Sequence, residues 1–177
     1  MYARPTPRAR LFPAGHGPSA RRFHGPIFAA PVTSAIRTLS LDEASDLAFL
    51  KAQLRGRVAV SARCGARDPG WLALINLALG SAPSQALAFV PELDAIVVHE
   101  RSGGVLRILD IVAPRMPTLA DVSAHIAKGA SSVEISFSPE ALDAPQLTPV
   151  PLAAEFMVRG PLAADARPFA LSPLAHC

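Results

Sequence analysis

The sequence predicts an α/β fold of the α+β kind: a mixed sheet in which an antiparallel meander runs on into one parallel βαβ crossover. Three observations lead there. Apolar residues recur at helical spacing through residues 47–79, then change to short runs rich in Val, Ile and Leu from residue 85. The links between those runs, "PELD" and "RSGG", are turn sequences. A capped helical segment then separates two apolar strands, which is the arrangement of a parallel crossover. Residues 1–37 form a separate basic arm, and residues 38–177 read as one domain.

The arm, "MYARPTPRARLFPAGHGPSARRFHGPIFAAPVTSAIR", carries prolines at 5, 7, 13, 18, 26 and 31. They interrupt any helix, and the apolar residues follow neither period. An arginine-rich, acid-free leader has the composition of an organelle transit peptide, but the prolines spoil the amphipathic helix that such a peptide needs. A basic interaction tail is a second reading. The composition favours a third, a disordered or wrongly translated extension, with order beginning near residue 38.

"SLDEASDLAFLKAQLRGR" predicts a first helix, with Ser40 as its cap and Glu43 completing a capping box. Leu47, Leu50 and Leu54 fall on one face, and Arg55 and Arg57 suit the carboxyl end of the dipole. "DPGWLALINLALG" predicts a second helix, capped by Asp68 and ended by Gly80. Trp71, Leu72, Leu74, Ile75, Leu77 and Leu79 leave it little polar face, so it is expected to be mostly buried.

"QALAFV", "AIVVHE" and "VLRILDIVA" make the three-strand meander. The third is apolar on both faces apart from Arg107 and Asp110, which marks it as central. Thr118 then caps a helix with Asp121 at its third position; Leu119, Val122 and Ile126 form the inner stripe, and Gly129 ends it. "SSVEISFS" alternates, with Val133, Ile135 and Phe137 inward and Glu134 and Ser136 outward. The crossover is expected to be right-handed. A last strand, "AEFMVRG", precedes a proline-rich tail whose Phe169 and Leu171 tuck against the sheet.

Charge and cysteine usage exclude several classes. Six of the 17 basic residues lie in residues 1–40, which hold no acid, leaving 11 against 14 acids in the remainder. The domain is therefore mildly acidic, which argues against a nucleic-acid partner there. No apolar run reaches the roughly 18 residues of a membrane span. Cys64 and Cys177 form no CxxC or Cys/His cluster, so neither a zinc site nor a disulfide framework is expected, and a reducing, cytoplasmic compartment fits. His176 and Cys177 at the chain end are two ligands, too few for a metal.

Two helices, a meander, a crossover helix and a further strand follow the order of the GNAT superfamily of N-acetyltransferases. "LRILDIVAPRMPTLADV", "VEISFSPEAL" and "FMVRGPLAADARPFALSPLAHC" resemble the last part of bacterial GNAT-type proteins with an extended or doubled acetyltransferase region. The resemblance covers residues 38–177. It implies a GNAT-like sheet whose central strand splays from its parallel neighbour, with the acyl chain of acetyl-CoA lying against the exposed strand backbone. The corresponding segment is Leu109 to Ala113, with Ile111 and Ala113 as the backbone contacts. The coenzyme pyrophosphate would sit at the following loop, of pattern Q/R-x-x-G-x-G/A, where successive N–H groups and the helix dipole meet the anion.

This chain has "APRMPTLAD" at that place. Arg115 would supply charge, and Thr118 and Leu119 would offer N–H groups. Both glycines are missing, and Pro114 and Pro117 have no N–H to donate. Each lost charge-assisted bond is worth roughly 1.5–3 kcal/mol, so the loop reads as vestigial. The family also needs a base to take the amine proton and an acid, often a tyrosine, to reprotonate the thiolate. The one tyrosine is Tyr2, in the arm. Glu134 and Asp110 are the candidate bases, against an ordinary reading as a solvated carboxylate and a strand-end residue. His99 and His125 sit on separate elements with no evident partner. Cys64, in the basic loop "SARCGARD", has no neighbouring base to make it a nucleophile.

Two functions follow from the resemblance. One is an acetyl-CoA-dependent N-acetyltransferase, or a fragment of one, acting on a small-molecule amine without a metal. The other is a noncatalytic GNAT-like domain that binds a ligand or packs on an active GNAT catalytic domain. A truncated or frameshifted start would leave the first helix and the meander edge as orphaned interface, open to self-association. A basic-tailed nucleic-acid binder, resting on the arm alone, is the weakest reading.

Overall fold

The computed structural model describes residues 21–27, 32–33, 35–62, 70–79, 86–151 and 169–175. Among these residues there are seven strands: β1 Arg21–Pro26, β2 Arg37–Leu39, β3 Ala86–Val90, β4 Ala95–Ser102, β5 Val105–Val112, β6 Ser132–Ile135 and β7 Thr148–Pro151. Three helices accompany them: α1 Ala44–Gly56, α2 Trp71–Ala78 and α3 Leu119–Ile126. The strands form one sheet in the order β2-β3-β4-β5-β6-β1-β7. Every neighbouring pair is antiparallel except β5 and β6, which α3 connects in parallel. The mixed sheet with a meander and one parallel crossover is therefore as expected, and β5 is its middle strand.

Alternation along the strands divides the core in two. Ala88, Val97, Ile108, Val133 and Ile135 pack under α3 through Leu119, Val122 and Ile126. Leu87, Ile96, Val98 and Val112 pack under α1 and α2 through Leu50, Leu54, Ala73 and Leu77. The crossover helix is held as the sequence implies: the Thr118 hydroxyl accepts the Asp121 N–H at 3.1 Å, and the Asp121 carboxylate accepts the Thr118 N–H at 3.4 Å.

Three expectations are corrected. Ordered structure does not begin near residue 38, because β1 lies between β6 and β7 with Phe23 opposite both Ile135 and Pro149. Phe23 is the one large apolar side chain in "RRFHGP", too little for a period to show. The prolines are accommodated because Pro26 ends its strand, while Pro149 and Pro151 lie on the edge strand. The meander edge is likewise covered, by β2 pairing with β3.

The second correction concerns α1, which begins at Ala44, so Ser40 and Glu43 form no capping box. Ser40 instead closes a turn, its hydroxyl accepting the Asp42 N–H at 3.3 Å. Asp46 organises this end of the helix, accepting the Ser40 N–H at 2.9 Å and pairing with Arg37. The Ser40 N–H and Arg37 together hold the Asp46 carboxyl below its usual range, against the effect of burial.

The third concerns α2. Ala73 and Leu77 are buried, but Trp71, Ile75 and Leu79 are 65, 51 and 78% exposed. Spaced four apart, they form an apolar stripe facing outward. Its amino-terminal cap is Gly70, whose φ of +98° and whose closeness to Leu54 exclude a side chain: a Cβ there would lie 2.7 Å from the Leu54 Cβ. The expected cap Asp68 and stop Gly80 lie outside the described residues, as do the strand expected at 154–160, Tyr2, Cys64, His176 and Cys177.

Candidate functional site

The place to look is where β5 and β6 part. Their parallel pairing covers Val105–Ile108 against Ser132–Ile135, and one further bond runs from the Ser136 N–H to the Ile108 carbonyl at 3.0 Å. Beyond it, β5 continues to Val112 paired with β4 alone. A register shift at Val98/His99 leaves Leu109 as an extra residue. Such a bulge turns the strand locally. Leu109 then joins the α1/α2 core, and Asp110 points the same way, to Arg57 and Ser172.

The exposed backbone expected of this splay is taken up by the chain itself. The Ile111 N–H is capped by the Asp110 carboxylate at 2.8 Å, and the Ala113 carbonyl accepts the Val58 N–H at 2.9 Å. The segment Phe169–Ala175 bridges the parting strands. The Ser138 N–H donates to the Ala170 carbonyl at 3.1 Å, and the Ala170 N–H returns to the Ser138 hydroxyl at 2.8 Å. On the other side, the Ser172 Oγ lies 3.1 Å from the Leu109 carbonyl and 2.9 Å from the Asp110 carboxylate. Ala170, Ser172 and Leu174 are buried. Phe169 is buried as expected, while Leu171 is only partly so.

Asp110 is accordingly a buried, fully engaged carboxyl. Burial raises its pKa, opposed by Arg57 at 3.4 Å and by the Ser172 and Ile111 bonds. A raised pKa on a carboxylate suits a general base, yet no open face adjoins it: its side chain is 2% exposed. Glu134, the other candidate base, accepts from Arg107 Nε at 2.8 Å and lies 3.6 Å from Arg22 Nη1. It is one arm of an ion-pair network in which Arg107 also holds Glu100 at 3.0 Å.

At the loop the residues fall differently again. Arg115 is exposed, with no side-chain bond among the described residues, while Leu119 is buried in the α3 core. The Thr118 N–H points to the Asp121 carboxylate, which also accepts from the Thr118 hydroxyl at 2.7 Å. An internal carboxylate therefore occupies the positive end of the helix, where an anion would otherwise sit. The sequence carried this signal in the box Thr118/Asp121, since a charged third position both caps the helix and repels phosphate.

The structure brings together two residues that the sequence leaves apart. His99, on β4, and His125, in the last turn of α3, line one cavity on the α3 side of the sheet. The signal was present as spacing: His99 and Arg101 share a strand face, and His125 and Lys128 lie three apart at the helix end. No protein-family model and no curated protein matches the chain.

Proposed function

We propose that this chain is a noncatalytic, GNAT-like accessory domain, in which the acetyl-CoA cleft of an N-acetyltransferase has been turned into structure. The observation that carries this reading is the seating of Phe169–Ala175 between β5 and the end of β6, bonded to Leu109 on one side and Ser138 on the other. A pantetheine arm would need those same strand edges. The loop supports it, with two prolines that lack N–H groups and Asp121 holding the helix start.

The exposed stripe of Trp71, Ile75 and Leu79 supports packing on a protein partner, since aromatic and aliphatic side chains in one patch are what interfaces bury. The cysteines, without a pairing pattern, support a cytoplasmic setting. No helix among the described residues is long and apolar enough to cross a membrane.

Calorimetric titration with acetyl-CoA tests the reading. The expected result is no binding at about millimolar ligand. Micromolar binding that is lost in Arg115→Ala would restore the enzyme, with acetyl-CoA as cosubstrate and a small amine as acceptor. Sedimentation of Trp71→Ser beside the parent chain tests the stripe: self-association lost in the variant identifies a second copy as the partner.

A further inference from the structure

The cavity shared by His99 and His125 has a volume of about 500 Å³. Its floor is β3 and β4, and its wall is the carboxyl end of α3. A bond from the Val32 N–H to the Ala124 carbonyl at 2.9 Å ties the segment above it to that helix. Arg101 reaches across from β4 to the helix end, donating to the Lys128 carbonyl at 2.9 Å and to the Ile126 carbonyl. The Ile126 carbonyl, at the negative end of the helix dipole, and the Lys128 carbonyl just beyond the helix are therefore satisfied.

Two polar atoms in this neighbourhood are left over. The Nδ1 atoms of His99 and His125 are buried and have no hydrogen-bond partner. His99 as a whole is 9% exposed. A buried polar atom without a partner costs free energy, and native proteins pair nearly all of them. Arg101, Lys128, Thr33 and Thr38 also line the cavity, and no carboxylate does so among the described residues. Every polar side chain around it is thus a donor or an imidazole that becomes one.

We propose that this cavity binds a small organic oxyanion, a carboxylate or phosphate on a compact apolar body, held by the imidazoles of His99 and His125 in the field of Arg101 and Lys128. A neutral imidazole carries one N–H, and an anion selects the tautomer that places it on the ring nitrogen reaching the ligand. Ile36 and Ile126 supply an apolar wall for the body of the ligand. A metal ion fits less well: no group of three His, Cys, Asp or Glu ligands occurs among the described residues, and two cationic side chains line the cavity. The site lies at the far end of α3 from residues 114–118 and does not rest on whether the domain is catalytic.

The test is an NMR titration of the full chain, following the imidazole nitrogens, with inorganic phosphate and with hexanoate as probes. Both rings are expected to respond saturably to at least one probe, with Kd below about 1 mM. Response to phosphate alone assigns a phosphate ligand, and to hexanoate alone a carboxylate. Lys128→Ala and His125→Phe, at the accessible side of the cavity, are expected to weaken binding by about tenfold while melting as the parent does. Silence of both rings up to about 10 mM of either anion would overturn the proposal. So would unchanged affinity in both variants, or saturable Zn²⁺ binding at both rings without an anion response.

Discussion

The Ser172 hydroxyl stands 3.1 Å from the carbonyl of Leu109, closing the strand edge that the bulge in β5 opens. The same oxygen accepts the Leu174 N–H at 3.2 Å and touches the Asp110 carboxylate. One hydroxyl thus ties the carboxyl-terminal segment to the middle of the sheet. Ser172→Ala removes the single O–H that the Leu109 carbonyl and the Asp110 carboxylate share, together with the acceptor of the Leu174 N–H. A loss of about 1–3 kcal/mol is expected in urea unfolding. A loss too small to measure would show that the segment is held by the Ala170–Ser138 bonds and the packing of Leu174 instead.

Asp110 and Arg57 form a pair with side chains only 2% and 10% exposed. Breaking such a pair from one side strands a charge in the core, which costs about 3–5 kcal/mol. Asp110→Ala is therefore expected to be the most damaging single change at the divergence of β5 and β6. The double variant Asp110→Leu/Arg57→Met should recover most of the loss, because it removes the uncompensated charge along with its partner. A double variant as unstable as the single one would place the cost in lost packing.

Burial, and then Arg101, lower the pKa of His99 to about 4 from 6.5. The protonated form is disfavoured in the folded state, so stability is full above pH 6.5 and falls as pH drops from there towards 4. The size of this loss is roughly 2–3 kcal/mol after discounting for partial exposure. Arg101 and Lys128 are the charged groups around the ring, with His125 facing it from α3, so no carboxylate among the described lining residues offsets the effect. Unfolding curves across this range should steepen in the parent and flatten in His99→Phe. Equal pH dependence in both would assign it elsewhere.

Gly70 begins α2 with φ of +98°, directly against Leu54 of α1. Gly70→Ala adds backbone strain of about 1–2 kcal/mol and a contact that Leu54 must move to relieve. A loss of at least about 2 kcal/mol is expected in thermal unfolding, with Leu54→Ala/Gly70→Ala less than additive. Full additivity would mean that the two helices adjust independently.

Local chemistry and strict alternation determined much of this protein from its residues alone. The pair Thr118/Asp121 marks the crossover helix, Val133 and Ile135 mark its following strand, which ends before Phe137, and the doubly apolar β5 belongs at the centre. Each signal is a short-range one, carried by neighbours within a turn or a strand. Tertiary structure alone decided the rest. β1 becomes a strand because β6 and β7 supply its hydrogen bonds, not because "RRFHGP" carries a period. Ser172 reaches Leu109 across 63 positions, and His99 meets the cavity of His125 only once α3 has crossed the sheet. Such contacts depend on where the chain returns, and no local propensity encodes that.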